Sequence, residues 1–108
     1  MNGSDNLYTA GIWTVRQGKE ADFITVWEQF ARWTAEHQPG AAQAYILQDI
    51  AHPQRFLTFG PWQSIEEIEA WRSTDEFRAF VGRAHELCEH FQPGTFRVIS
   101  RVSPPEVS

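Results

Sequence analysis

Two hydrophobic periods alternate along this chain. From Leu7 to Val15, aromatic and β-branched residues fill a short run that ends at Arg16-Gln17-Gly18, which reads as a strand leading into a turn. Gly11 leaves a gap in that run, the mark of a bulge or of a group that approaches closely. From Lys19 to His37 the period becomes helical: Phe23, Trp27, Phe30 and Thr34 share a stripe that Ile24, Val26, Ala31 and Trp33 widen. The arc covers about half the circumference, whereas ~100° satisfies one core. This helix is therefore expected to face a pocket or a neighbour as well as a sheet. Gln38-Pro39-Gly40 stops it, because proline lacks a donor and glycine releases the backbone.

Ala42 to Asp49 reads as a strand and Arg55 to Phe59 as its hairpin partner, with Pro53 second in a type I turn over His52-Pro53-Gln54-Arg55. Ser64 with Glu67, and Ser73 with Glu76, have capping-box spacing. They open a short helix, Ile65 to Trp71, and a longer one, Asp75 to Phe91, whose apolar face carries Phe77, Phe80, Val81, Ala84, Leu87, Cys88 and Phe91. A second Gln-Pro-Gly, at 92–94, is expected to close that helix before a last strand from Thr95 to Val102. The two Gln-Pro-Gly stops give the halves of the chain a weak likeness. The order β-α-β-β-α-β, with right-handed crossovers, predicts an α+β domain of ferredoxin-like plan, a four-stranded antiparallel sheet with helices on one face.

The strands are apolar on both faces. Tyr8, Ala10 and Ile12 alternate with Leu7, Trp13 and Val15, and Tyr45 and Leu47 with Ala44 and Ile46. Helices can cover one face only, so the other is expected to meet a second copy of the chain in a homodimer with sheets packed face to face.

Composition narrows the function. At 108 residues there is room for one domain, expected over residues 7–102, with residues 1–6 disordered and 103–108 a loose tail. A single cysteine, Cys88, excludes an internal disulfide or a thiolate metal site and points to a reducing cytoplasm. The first residues lack the features of a signal peptide, and no apolar run nears the ~18 residues that cross a bilayer. A net charge of −5 opposes nucleic acid. Four scattered histidines form no metal motif, and no phosphate loop or nucleophile elbow is present. Five tryptophans and 14% aromatic residues exceed what so small a core needs, which implies an aromatic-lined cavity or an apolar interface.

Phe59-Gly60-Pro61-Trp62-Gln63-Ser64-Ile65-Glu66-Glu67 and Trp71-Arg72-Ser73-Thr74-Asp75-Glu76-Phe77 resemble the antibiotic biosynthesis monooxygenase family of dimeric α/β barrels, the likeness running from about Tyr8 to Val102. The resemblance implies a dimer with a pocket in each subunit between helices and sheet. The family includes cofactor-free oxygenases of aromatic polyketide intermediates, quinol oxygenases and haem-degrading enzymes. In the polyketide-oxidising members an asparagine lies four residues before the strand-ending tryptophan; here that tryptophan is Trp62 and the asparagine position holds Thr58. The haem-degrading members use a first-strand asparagine, a tryptophan after the third strand and a last-helix histidine. Trp71 matches that tryptophan, while Gly11 and Val81 hold the other two places.

The expected pocket walls are Trp33, Trp62, Trp71 and Phe80, with Thr58 beside them. His85 and Arg83 are the candidate catalytic groups, and His37 is a further polar neighbour. Each has a structural alternative: Trp62 and Trp71 as anchors of the short helix, His85 as boundary packing, Arg83 as a solvated side chain, and His37 and His90 as helix caps or solvated side chains. The leading expectation is a cofactor-free monooxygenase of a small aromatic phenol, quinol or polyketide-like substrate, with dioxygen as co-substrate and neither metal nor flavin. The alternatives are a non-enzymatic dimeric barrel binding a hydrophobic small molecule, and a haem-binding or haem-degrading protein.

Overall fold

The central strand organises the molecule. In the computed structural model, which describes residues 6–106, β1 (Leu7–Val15) buries Leu7, Gly11, Trp13 and Val15 on one face. It is followed by α1 (Glu20–His37), β2 (Tyr45–Gln48), β3 (Arg55–Trp62), α2 (Ile65–Arg72), α3 (Asp75–Leu87) and β4 (Cys88–Arg97). The strands lie in the order β2-β3-β1-β4, all antiparallel, which is the ferredoxin-like arrangement expected from the sequence. Among the described residues no helix is long and apolar enough to cross a membrane.

Two apolar clusters hold helices to sheet. The larger joins Trp13, Val15, Phe23, Phe56, Phe80, Ala84, Leu87 and Cys88; the smaller joins Leu7, Trp62 and Ile68, with Trp71 packed against it. Phe23 anchors α1 and is fully buried. The hairpin turn is closed by the Arg55 N–H donating to the His52 carbonyl at 2.9 Å. Asp49 steadies it: its carboxylate accepts the Ala51 N–H at 2.9 Å and lies 3.3 Å from the Arg55 guanidinium. That N–H, aided by the His52 N–H and Arg55, holds the Asp49 carboxyl below its ordinary range against a smaller opposing desolvation.

The structure departs from the sequence reading in three places. First, α3 stops at Leu87, and Cys88 is already extended, at φ −115° and ψ 146°. β4 pairs with all nine residues of β1, from Val15 opposite Cys88 to Leu7 opposite Arg97, with a register shift at Thr14/Val15. Phe91 therefore packs from the sheet, its ring stacked on Trp13 at 4.8 Å. Gln92-Pro93-Gly94 lies inside this strand rather than ending a helix; Pro93 is tolerated because β4 is an edge. Residues 98–106 carry no regular structure, so the last strand is not Thr95–Val102. His90, on β4, does not cap a helix; its Nε2 lies 3.5 Å from the Thr14 hydroxyl.

Second, Ser64 caps α2 as expected, accepting the Glu67 N–H at 3.1 Å, but α3 is capped by Thr74 rather than Ser73. Thr74 has the extended backbone a cap requires, whereas Ser73 is helical and turns its hydroxyl back to the Glu69 carbonyl at 2.9 Å. Third, β2 is shorter than expected and β3 runs on to Trp62. Residues 1–5, part of the N-terminal segment expected to be disordered, and 107–108 of the tail lie outside the described residues.

The sheet face away from the helices carries Tyr8, Ala10, Ile12, Tyr45, Leu47, Leu57, Phe59 and Phe96. Tyr45 stacks on Phe59 at 5.3 Å, and Phe96 remains 57% exposed.

Candidate functional site

Between the two apolar clusters lies a cavity of about 520 Å³, floored by β1, β3 and β4 and roofed by α1, α2 and α3. Its walls are aromatic: Trp13, Trp27, Phe30, Trp62, Trp71, Phe80 and others. Phe30 stacks on Phe80 at 4.5 Å and on Trp71 at 5.5 Å, and Trp71 lies 4.9 Å from Trp62. This volume falls within the range that takes drug-sized ligands. The broad apolar arc of α1 is thus shared between core and cavity.

Polar groups enter this wall in pairs. The indole N–H of Trp13 donates to the Thr58 hydroxyl at 2.9 Å, that of Trp62 to Thr9 at 3.0 Å, and that of Trp71 to Thr34 at 2.9 Å. The Arg72 guanidinium donates to Thr95 at 2.8 Å. Thr34 and Thr58 are over nine-tenths buried. Arg72 is the sole ionisable side chain among the described lining residues.

Of the residues named from sequence, Thr58, Trp62, Trp71 and Phe80 line the cavity. Trp33 does not: it stacks against Phe30 at 6.1 Å and His37 at 5.2 Å, beside the wall. His37 is exposed and its Nδ1 bonds the Trp33 carbonyl at 2.9 Å, near the end of α1. Arg83 is exposed and paired with Glu86 at 3.6 Å. His85 is exposed, its ring 5.0 Å from that of Phe91 and outside the cavity lining. Gly11 and Val81, at the family's asparagine and histidine positions, do line it. Sequence reasoning missed Thr9, Trp13, Thr34 and Arg72 as cavity residues. The available signal was the apolar stripe of α1, in which Thr34 is the one polar member.

Comparison with known proteins places this geometry. The model of the antibiotic biosynthesis monooxygenase family matches residues 9–83. The chain belongs to that family. The sequence matches none of the curated proteins. Among solved structures, a variant of SnoaB, a cofactor-independent oxygenase from Streptomyces nogalater, is similar at a TM-score of 0.83 and 18% identity, covering 93% of this chain and 99% of that one. A conserved protein of Methanosarcina mazei gives 0.78 at 13% identity, over 88% and 95% of the two chains. A protein of Shewanella oneidensis gives 0.79 at 14%, over 88% and 92%. At these identities the antibiotic biosynthesis monooxygenase fold is what is shared. Haem, which some members of the family degrade, is poorly matched: the described lining offers no imidazole, thiolate, thioether or phenolate to iron.

Proposed function

We propose that this protein is a cofactor-independent monooxygenase that oxidises a planar hydroxyarene, a phenol, quinol or polyketide-like ring system, with dioxygen as co-substrate. The aromatic-walled cavity, in a chain of this family, carries the reading. Electrons come from the substrate. The hydroxyarene anion, with density on a ring carbon, passes one electron to dioxygen, and the radical pair collapses to a C–O bond. The peroxide anion takes up a proton; loss of the proton on that carbon with O–O cleavage leaves a carbonyl and hydroxide, which becomes water. The substrate loses four electrons and dioxygen gains four.

The protein's share is to hold the ring, exclude water and favour the anion. The described lining has no carboxylate, imidazole or amine to act as base. The substrate must therefore ionise readily by its own acidity, with neighbouring donors favouring the anion. An oxygen electrode with a panel of naphthols and quinols, chelator present, tests the reading. One dioxygen consumed per product, and one labelled oxygen atom retained from ¹⁸O₂, is expected; consumption no faster than in buffer across the panel overturns it. Ligand binding without product would instead mark a non-enzymatic barrel.

We further propose that two copies pair through their outer sheet faces, which is supported by the aromatic and aliphatic side chains left exposed there.

A further inference from the structure

The two central strands carry the same five-residue pattern. Thr9-Ala10-Gly11-Ile12-Trp13 on β1 and Thr58-Phe59-Gly60-Pro61-Trp62 on β3 both read Thr-x-Gly-x-Trp. They pair antiparallel so that Thr9 faces Gly60 and Gly11 faces Thr58. Each tryptophan donates to the threonine of the other strand. The pattern is thus reciprocal about the strand pair, and the floor of the cavity holds two threonines as diagonal neighbours, about 7–8 Å apart. Gly11 is needed for this: a Cβ there would come within 2.9 Å of the Trp13 Nε1. Trp71 repeats the bond from the roof, onto Thr34.

An indole N–H can only donate. A threonine bonded to one must use its oxygen as acceptor, and its own proton is turned elsewhere. A carbonyl as partner would instead take up that proton, and a second hydroxyl would leave the direction open. Among the described residues, Thr9, Thr34 and Thr58 donate to no protein acceptor, and all three line the cavity. Accepting a bond also strengthens a hydroxyl as donor. Indoles do not ionise, so this polarity holds at every working pH.

We propose that these three hydroxyls, each with its proton left free by the indole it accepts from, form a donor set that selects ligands by their acceptor oxygens, namely a fused-ring aromatic bearing carbonyl or phenolate oxygens. Such a ligand places its apolar faces against the tryptophans and phenylalanines and its oxygens on Thr58, Thr9 and Thr34. A bare hydrocarbon of the same shape leaves the hydroxyls unsatisfied. As an account of substrate choice this rests on the oxygenase reading; as a statement about binding it does not.

Calorimetric titration with 1,4-naphthoquinone and with naphthalene tests it directly, on the protein as it stands. The quinone is expected to bind roughly tenfold tighter or better, the equivalent of one retained hydrogen bond. Thr58→Val and Thr34→Val should each shrink that ratio. Thr58→Ser, which keeps a hydroxyl, should restore it. Equal affinities for the two probes, binding of neither, or a ratio unmoved by both valine variants overturns the inference. Preference for the quinone without oxygen consumption by any hydroxyarene would sink the oxygenase reading alone; turnover with no quinone preference would sink the donor set alone.

Discussion

At the scale of single residues, space and protonation decide more than charge. Gly11 lies under the Trp13 indole, so Gly11→Ala must push that ring off Thr58. Overpacking of this kind costs about 1–3 kcal/mol, and urea denaturation should show a loss of that order. The variant should also lose preference for acceptor-bearing ligands; full stability with an unmoved ring would contradict the packing described. Cys88 is governed by burial, which raises its thiol to about 11. Because the folded value lies above the ordinary 9.0, stability is complete below pH 9 and declines as pH rises through about 11. Cys88→Ala should remove that alkaline decline, and a thiol reagent at pH 8 should label the native protein only as fast as it opens. Fast labelling would mean an accessible thiolate.

The same scale shows what the sequence disclosed of the site. Thr58, Trp62 and Trp71 were legible through the motif that spans them, because a motif fixes register along a strand and hence which face a residue takes. Trp33, His85 and Arg83 were chosen as large or polar side chains near an apolar stripe, and none of the three is part of the cavity lining. Helical phase places a residue only to within a sector, and Trp33 falls where α1 turns from the cavity toward His37. Thr9 and Thr34 went unnoticed because a lone threonine carries little signal until the indole that bonds it is known.

Among the elements, the capping of α3 separates two neighbours that the sequence does not. Thr74→Ala should cost about 1 kcal/mol, the usual value of a lost N-cap. Ser73→Ala should cost less, since its hydroxyl serves only the Glu69 carbonyl at the end of α2. Thermal denaturation of the two variants side by side checks this, and the reverse order would reassign the cap. The end of α3 was hidden for a related reason: Cys88 and Phe91 continue the helical spacing from Ala84, so local pattern alone extends the helix. What ends it is non-local. The nine residues of β1 need a partner on their free edge, and β4 must begin opposite Val15 to cover them. Strand pairing of that reach is invisible to a periodicity argument, whereas β1, α1 and the start of the hairpin, each with its own turn signals, were readable.

For the whole molecule the decisive feature is a sheet with two apolar faces and helices on one. Leu57 lies on the uncovered face, opposite Ile12 of β1 and Leu47 of β2, and is 38% exposed. The proposed pairing would bury this patch against its copy, in the isologous manner of two-fold dimers. Leu57→Glu places a charge at the centre of each half, where two carboxylates would meet without counter-ions and lose their hydration. Sedimentation should therefore find the native protein at twice the 12.5 kDa of one chain and the variant at 12.5 kDa. Since Leu57 points away from the helices and the cavity is lined from a single chain, the monomeric variant should still bind 1,4-naphthoquinone. A native protein that sediments as a monomer would refute the pairing, and loss of ligand in a folded L57E monomer would show that the partner shapes the site.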